Sequence, residues 1–458
     1  MSSIKKPNLV NPSRKLVNLQ KGFIWLIYIF ILIQWLITGI DTSGDAITYI
    51  HMDPLRTPGY PIFIKLTTLF GLIKGYRSTS FIALMFALFI IHRFCNFLRK
   101  EFNLSPFSII ISSLILLFPY LLVDLKNSIL SETLAYPLFI LTVQLFLKSL
   151  FDKSSKTAIQ YFIVTAILLL VRPQFVYFYG VSILLIIYLA WYSKNKVKSS
   201  LLLIGVFVLC SAGGNLLDKT YHLVLHKHFE TPSFFGVQFE VMPLFNLHDN
   251  DVNLFSNPLE RGMVDTVLGY EKTNVLYNFR NQKHHASDRD LFVYEHVYND
   301  LTWRTSENYF LNVVGKQGLK PNDPSFWDYL NSVTSHIAFV LIKAHPKEYA
   351  TMYLMLLNSS FGFSSGFFPF LLLFFFSIWL FFKTGNKQSI LILSGCILLA
   401  LNNILICFFE PLVGRYTMYC YYLFPVIILI PLIKFMEGML FSPSVIPLIA
   451  DDNLETES

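Results

Sequence analysis

Ten apolar runs, at residues 22–40, 80–97, 107–123, 129–147, 159–171, 175–192, 201–217, 367–382, 390–409 and 418–433, leave this chain little choice of fold. Most approach the roughly 20 residues that a helix needs to cross about 30 Å of hydrocarbon. Inside hydrocarbon a segment must satisfy its own backbone amides, so runs of this kind become helices. The chain is therefore expected to be an all-α polytopic membrane protein with about ten transmembrane helices. Composition agrees: 54% of the residues are hydrophobic and 14% charged, against about 25% charged in an average soluble domain.

The charges also suggest an orientation. Lys5, Lys6, Arg14, Lys15 and Lys21 precede or open the first run. A cleavable signal would be shorter and would end in small residues, so this run is expected to stay as a helix. With the N-terminus placed inside, the inward loops carry Arg93, Arg99 and Lys100; Lys148, Lys153 and Lys156; Lys194, Lys196 and Lys198; Lys383 and Lys387; and Lys434. That is the positive-inside bias at every inward loop. It also absorbs much of the net charge of +7, so nucleic acid is not an expected partner. The apolar run 61–73 is the exception, because as a helix it would reach only about 20 Å. Lys65, Lys74 and Arg77 suit a helix lying in the interface, within a first outer loop spanning 41–77. Ten crossings then put both termini in the cytoplasm. A cytoplasmic (inner) membrane protein working at the periplasmic or exterior face is the expectation.

The expected organisation is an N-terminal membrane module over 1–217, an outer domain over 218–350, C-terminal spans over 351–435 and a cytoplasmic tail over 436–458. The polar stretch from Asp218 to about His345 is too apolar for disorder and too long for an ordinary loop. A mostly helical extracytoplasmic cap is expected there, followed by a helix after His345-Pro346 that meets the membrane surface near 352–357. The five cysteines, Cys95, Cys210, Cys396, Cys407 and Cys420, lie in or beside apolar runs. They show neither metal-ligand spacing nor a disulfide framework.

Topology gathers the other charges at one depth. Arg56, Lys126, Arg172 and Arg415 fall at the outer ends of spans, against the positive-inside bias, and Asp41, Asp45, Asp53, Asp124, Glu132 and Glu410 share their level. Single arginines at helix ends snorkel, and acids beside them form rim ion pairs of little consequence. A set scattered in sequence yet collected at one level points instead to function. Sugar transfer from a lipid-linked phosphate needs such a set. Cations meet the anionic polyprenyl phosphate leaving group, and a carboxylate accepts the proton of the acceptor hydroxyl. The donor's apolar tail needs a groove between helices.

Asp45-Ala-Ile-Thr-Tyr49, Arg56-Thr-Pro-Gly-Tyr-Pro61, Ser131-Glu132 opening a helix, Arg172-Pro173 closing another, His345-Pro346 and Gly414-Arg415-Tyr416 occur in that order. Together they resemble the membrane-embedded GT-C glycosyltransferases, in the branch that groups protein O-mannosyltransferases with lipid A aminoarabinose transferases. The resemblance covers mainly the first seven spans and a few residues near the C-terminus. It implies a polyprenyl-phosphate-linked sugar donor and an essential aspartate in the first outer loop, matched by Asp45 with Asp41 as the fallback. Arg56, Arg172, Arg415 and Lys126 would then surround the donor phosphate, and Tyr49, Tyr60, Glu132 and His345 would belong to the substrate pocket. Blander roles stand beside these. Asp45 could cap the following short helix, worth about 1 kcal/mol. Arg56 could be a turn residue beside Pro58-Gly59. Tyr60 could be an interfacial anchor, and Glu132 a favourable charge at a helix N-terminus. The aminoarabinose transferases carry two adjacent acids where this chain has Asp45-Ala46, which argues against a metal-bridging pair. No cofactor is required by these motifs, with a divalent metal ion the one left open.

The histidines His222, His226 and His228 near Glu230, with His248-Asp249 and His284-His285 further on, form a second constellation. His222 and His226 share a helix face, as a zinc site requires. No His-Glu-x-x-His pattern is present, and solvated histidines at a domain junction account for the set more simply. The expected function is transfer of a sugar from a polyprenyl-phosphate donor to a hydroxyl of a glycan, lipid or protein at the outer face. One alternative is a surface polysaccharide polymerase or ligase using diphosphate-linked donors. Another is a transporter of lipid-linked saccharides, which calls for internal repeats or charges at mid-membrane. Here the charges cluster at span ends.

Overall fold

The computed structural model describes residues 14–42, 44–71, 75–193, 195–279, 288–361, 366–409 and 414–440, with side chains at 14, 70, 278–279, 288–289, 414–415 and 431–440 left aside. The first half forms α1 (Arg14–Ile37), α2 (Asp45–Ile50), α3 (Gly59–Phe70), α4 (Tyr76–Phe102), α5 (Pro106–Leu122), α6 (Glu132–Asp152), α7 (Ser155–Val171), α8 (Phe178–Tyr192) and α9 (Lys196–His226). The polar stretch forms α10 (Phe235–Phe245), α11 (Pro258–Thr273), α12 (Asp288–Asn299), α13 (Glu307–Val314) and α14 (Pro324–Ala344). The chain continues with α15 (Pro346–Ser359), α16 (Phe367–Thr384), α17 (Lys387–Phe409) and α18 (Gly414–Leu440). Among the described residues the only extended pairing is an isolated bridge between Asp41 and Ser128.

Each of the ten apolar runs lies mainly on a helix, with 38–40, 123 and 129–131 falling outside. Among the described residues, seven segments are long and apolar enough to cross a membrane: α1, α4, α6, α8 with the turn that leads into it, α9, α16 and α17. The runs at 107–123 and 159–171 coincide with the shorter apolar helices α5 and α7, and the run at 418–433 falls on α18. Local chemistry sets two of these lengths. α5 opens where Ser105 accepts from the Ser108 amide, with Pro106 in the first turn, and α7 opens where Ser154 accepts from the Thr157 amide. α7 closes at Arg172, whose φ of −154° and ψ of 110° follow from the proline after it. Each helix has 17 residues, about 25 Å of rise.

The helix expected over 61–73 is α3, 12 residues long and starting earlier, at Gly59. It buries Tyr60, Ile64 and Thr67 and exposes Ile62, Leu66 and Leu69. Thr67 and Thr79 hydroxyls, 2.7 Å apart, fix its inner face to α4. Apolar exposure of this kind is greater on α9 and α16. Leu201, Leu209, Leu217, Phe368, Phe375 and Phe382 all face outward, as expected of helices surrounded by hydrocarbon.

Two hydrophobic cores result. One joins α1 and α3–α8 to α17 and α18, around side chains such as Phe94, Phe139, Phe175 and Tyr419. The other fills the polar stretch with Val264, Phe310, Phe326, Leu330 and Ile337, and ends on Met352, Leu356 and Leu357 of α15. The boundaries thus differ from those expected at 217/218 and 350/351. α9 runs unbroken to His226, stopping only where Lys227 takes a left-handed conformation (φ 61°). α15 turns its buried residues into the second core. α17 enters both, with Cys396 in the first and Cys407 in the second. α18 passes the expected boundary at 435 and runs to Leu440; 441–458 lie outside the described residues.

Candidate functional site

The first loop folds back on itself through its own sequence. Gly44, with φ 56° and ψ −124°, precedes α2 and no side chain caps it. Asp45 is therefore the first helical residue rather than the N-cap, and its charge suits that end of the helix. After six residues the chain reverses at Met52 (φ 57°). Asp53 then accepts from the Leu55 amide at 3.1 Å, a local turn typical of aspartate. This returns Arg56 to the face of α2 that presents Asp45, Thr48 and Tyr49, a spacing that aligns side chains on a helix. The guanidinium donates to Asp45 Oδ1 at 2.9 Å, Thr48 Oγ1 at 2.8 Å and Tyr49 Oη at 3.4 Å, and lies 4.4 Å from the Tyr49 ring centre. Desolvation works against the Arg56 charge, but Tyr49, Asp45 and Asp53 outweigh it and hold its pKa above the ordinary arginine value.

The rest of the Arg-Thr-Pro-Gly-Tyr-Pro run docks this loop on two helices. Thr57 donates to the Val171 carbonyl at 3.4 Å. Gly59 sits so close to the last turn of α7 that a Cβ would stand 2.7 Å from the Leu170 and Val171 backbone. Tyr60 is fully buried, with its hydroxyl 3.2 Å from Thr133 and its ring edge-on to Tyr49.

Behind Tyr49 lies a desolvated network centred on Ser131. The Ser131 hydroxyl accepts from Tyr49 at 2.9 Å and from Arg172 Nη1 at 3.0 Å, and donates to Glu132 Oε2 at 3.2 Å. One donor and two acceptor positions are all that a hydroxyl has, so this one is fully used. Arg172 Nη1 also meets Glu132 Oε1 at 2.8 Å, and both side chains are almost wholly buried. Arg172 Nε donates to Gln174, whose amide reaches the Tyr416 carbonyl at 3.4 Å. The Tyr416 and Tyr419 rings flank the guanidinium at 4.9 and 6.0 Å. The first loop, the α6 N-terminus, the α7–α8 junction and α18 thereby converge.

Six of the sequence-derived candidates share this network: Asp45, Tyr49, Arg56, Tyr60, Glu132 and Arg172. Their roles differ from those expected in two respects. Tyr60, fully buried, is neither an interfacial anchor nor an exposed pocket wall. Arg172 and Glu132 neutralise each other away from water. Asp41 is exposed and is placed by backbone bonds, its amide donating to the Asn127 carbonyl at 3.0 Å and its carbonyl accepting from Ile129 at 3.2 Å. Lys126, with its side chain buried, pairs with Asp124 at 2.8 Å in the α5–α6 loop instead of joining Arg56 and Arg172. Arg415 lies in the first turn of α18, next to Tyr416, but its side chain and all of Glu410 lie outside the described residues.

His345 does not belong to this site. Pro346 cannot continue α14, so His345 becomes the joint between α14 and α15, and it lies in the second structural unit against His248, Asp251 and Glu348. The histidine expectation also shifts. His222 is buried 3.5 Å from Asp218 on its own helix. Among the described residues, ligand-type side chains converge in threes at His248, His345 and Glu348 and at His228, Glu230 and Asp328. His284-His285 lie outside the described residues.

Sequence reasoning missed Ser131 as a hub and missed Thr48, Thr133 and Gln174 altogether. The spacing of Thr48 from Asp45 and the position of Gln174 beside Arg172 were the available signals. No family model matches this chain, and neither a curated protein nor a solved structure does.

Proposed function

We propose that this chain is an integral-membrane glycosyltransferase of the GT-C type, with about ten spans in the cytoplasmic membrane. It transfers a sugar from a polyprenyl-phosphate donor to a hydroxyl of a glycan, lipid or protein at the outer face. The observation that carries the reading is the Asp45–Arg56 pair, partly exposed and bonded to a buried Tyr49–Ser131–Arg172–Glu132 network. Side-chain exposures of 35% for Asp45 and 26% for Arg56 leave both reachable by a substrate.

In this reading the acceptor oxygen attacks the anomeric carbon while Asp45 takes its proton, and the carbon–oxygen bond to phosphate breaks. Polyprenyl phosphate leaves with the bonding electrons, and the Arg56 guanidinium meets the charge that develops on it. The same guanidinium holds Asp45 in place at 2.9 Å. Arg172, neutralised by Glu132, supports Tyr49 and through it α2. Lys126 is held by Asp124 and would have to leave it to reach the donor, and Arg415 is the further cation the sequence offers. A metal bridged by adjacent acids would need a second carboxylate where Ala46 stands.

The test uses full-length protein in detergent and a panel of synthetic polyprenyl-phosphate sugars, following release of polyprenyl phosphate. Asp45→Asn is expected to lower turnover about 10²- to 10⁴-fold with an unchanged melting temperature. Turnover retained in that variant removes Asp45 from the chemistry. Activity confined to diphosphate-linked donors would replace the reading with a polymerase or ligase.

A further inference from the structure

We propose that the cap rests in the bilayer surface through a row of aromatic rings, with Phe235 of α10 and Phe339 of α14 entering the lipid beside the last turn of α17 and Phe239 joining them. Lys343 and Lys347 then stand at the level of the lipid phosphates. The contact is separate from the Asp45 network and independent of the proposed transfer reaction.

The row begins on a helix long and apolar enough to cross a membrane. Phe409, the final residue of α17, meets the Phe235 ring edge-on with centres 5.0 Å apart. Phe239 stands 5.2 Å from Phe235, and Phe339 stands 5.5 Å from Phe239. Rings at these separations attract one another, so the row holds its shape. It is also open to its surroundings. Phe339 is 61% exposed and Phe235 44%. The core of the cap takes the opposite sides of both helices, burying Val237 and Val241 on α10 and Ile337 and Leu341 on α14.

Exposed rings in a row mark a contact surface, and its position and charge commit this one to lipid. The row is continuous with the end of a span. Ile404, one turn before Phe408 on α17, is 40% exposed, and Tyr353 of α15 packs on Phe408 with ring centres 4.3 Å apart, next to Leu354 at 56% exposure. The cations are placed for phosphate. Lys343 follows Phe339 by one turn on the same face of α14, and Lys347 shares a face of α15 with Leu354. Both lysines are exposed. Their long stems let an ammonium reach a headgroup while the neighbouring ring stays among the acyl chains. Phenylalanine and leucine bordered by lysine is the composition of helices that lie about 5–10 Å into the headgroup and acyl boundary.

The test places the photoreactive residue p-benzoylphenylalanine at position 339, 235 or 329 of the full-length protein, one position at a time. Each variant is reconstituted in nanodiscs of phosphatidylcholine and phosphatidylglycerol and irradiated, and lipid adducts are counted by intact-mass spectrometry. Tyr329, also on α14 and 40% exposed, packs on Phe310 of α13 and serves as the control. Positions 339 and 235 are expected to give about tenfold more lipid adduct than position 329. If the label at one of the two prevents folding, the other decides, since both belong to one row. Lipid adduct at 339 and 235 no greater than at 329 overturns the proposal. So does adduct formed mainly with a second copy of the chain, or with an oligosaccharide added to the nanodiscs, either of which would make the row a site for that partner. Cross-linking requires no turnover, so failure here and failure of the Asp45 test are distinguishable.

Discussion

Removing the charge of Glu132 tests whether Arg172 is a buried support or an available cation. The two groups meet at 2.8 Å with side-chain exposures of 11% for Arg172 and 3% for Glu132. At an effective dielectric of about 20, opposite charges with centres about 4 Å apart attract by about 4 kcal/mol. Breaking one partner of a buried pair strands the other charge, at a cost of about 3–5 kcal/mol. Glu132→Leu and Arg172→Met are each expected to fall in that range. The pair Arg172→Met/Glu132→Leu removes both charges and leaves the Ser131 hydroxyl without its acceptor, a residual cost of about 1–3 kcal/mol. A double-mutant cycle should therefore return a coupling of about 3 kcal/mol or more. Reversible unfolding in mixed micelles, followed by tryptophan fluorescence, measures it. Single variants costing under about 1 kcal/mol, or a double variant equal to the sum of the singles, would refute the buried-pair account. In that event Arg172 returns to the list of groups available to bind a phosphate.

Other consequences are smaller. Tyr49→Phe deletes the bond to Ser131 and one contact of Arg56, and should cost about 1–2 kcal/mol by the same unfolding assay. Gly59→Ala forces a methyl group against the α7 backbone at 2.7 Å, where neither partner can yield; a loss of about 1–3 kcal/mol is expected in the same assay. In the cap, burial pushes the Glu240 and Glu307 carboxyls up to about 8, Glu307 adding to the rise at Glu240 and the Ser306 hydrogen bond opposing it. These folded values lie above the ordinary value of 4.5, so the stability they lend is complete below about pH 4.5 and is lost as pH rises toward about 8. Melting temperatures across that window should fall with pH, and Glu240→Gln should flatten the slope; an unchanged slope would count against the buried acid.

The helices were legible because hydrocarbon demands length and apolarity, and both are written locally. The Asp45–Arg56 pair was nearly as legible, since eleven residues and a turn-forming Asp53 separate its members. Ser131 was not. A serine before a helix suggests a cap, yet this one makes no cap bond, and its three partners come from α2, α6 and the end of α7. His345 misled for the opposite reason. Its motif is local, but its neighbours His248 and Asp251 are set by how α10 and α14 pack, which no short pattern records. The two 17-residue helices, α5 and α7, escaped an exact length because capping serines open them and a proline follows the second, features that hydropathy does not register.

The path of α17 has a mechanical consequence. Its inner turns are clamped among the bundle helices, while its last turns take a hydrogen bond from Tyr298 and one from Tyr353. Such a beam resists any hinge at its own position. A load applied to the second core would therefore be passed to the first through this strut.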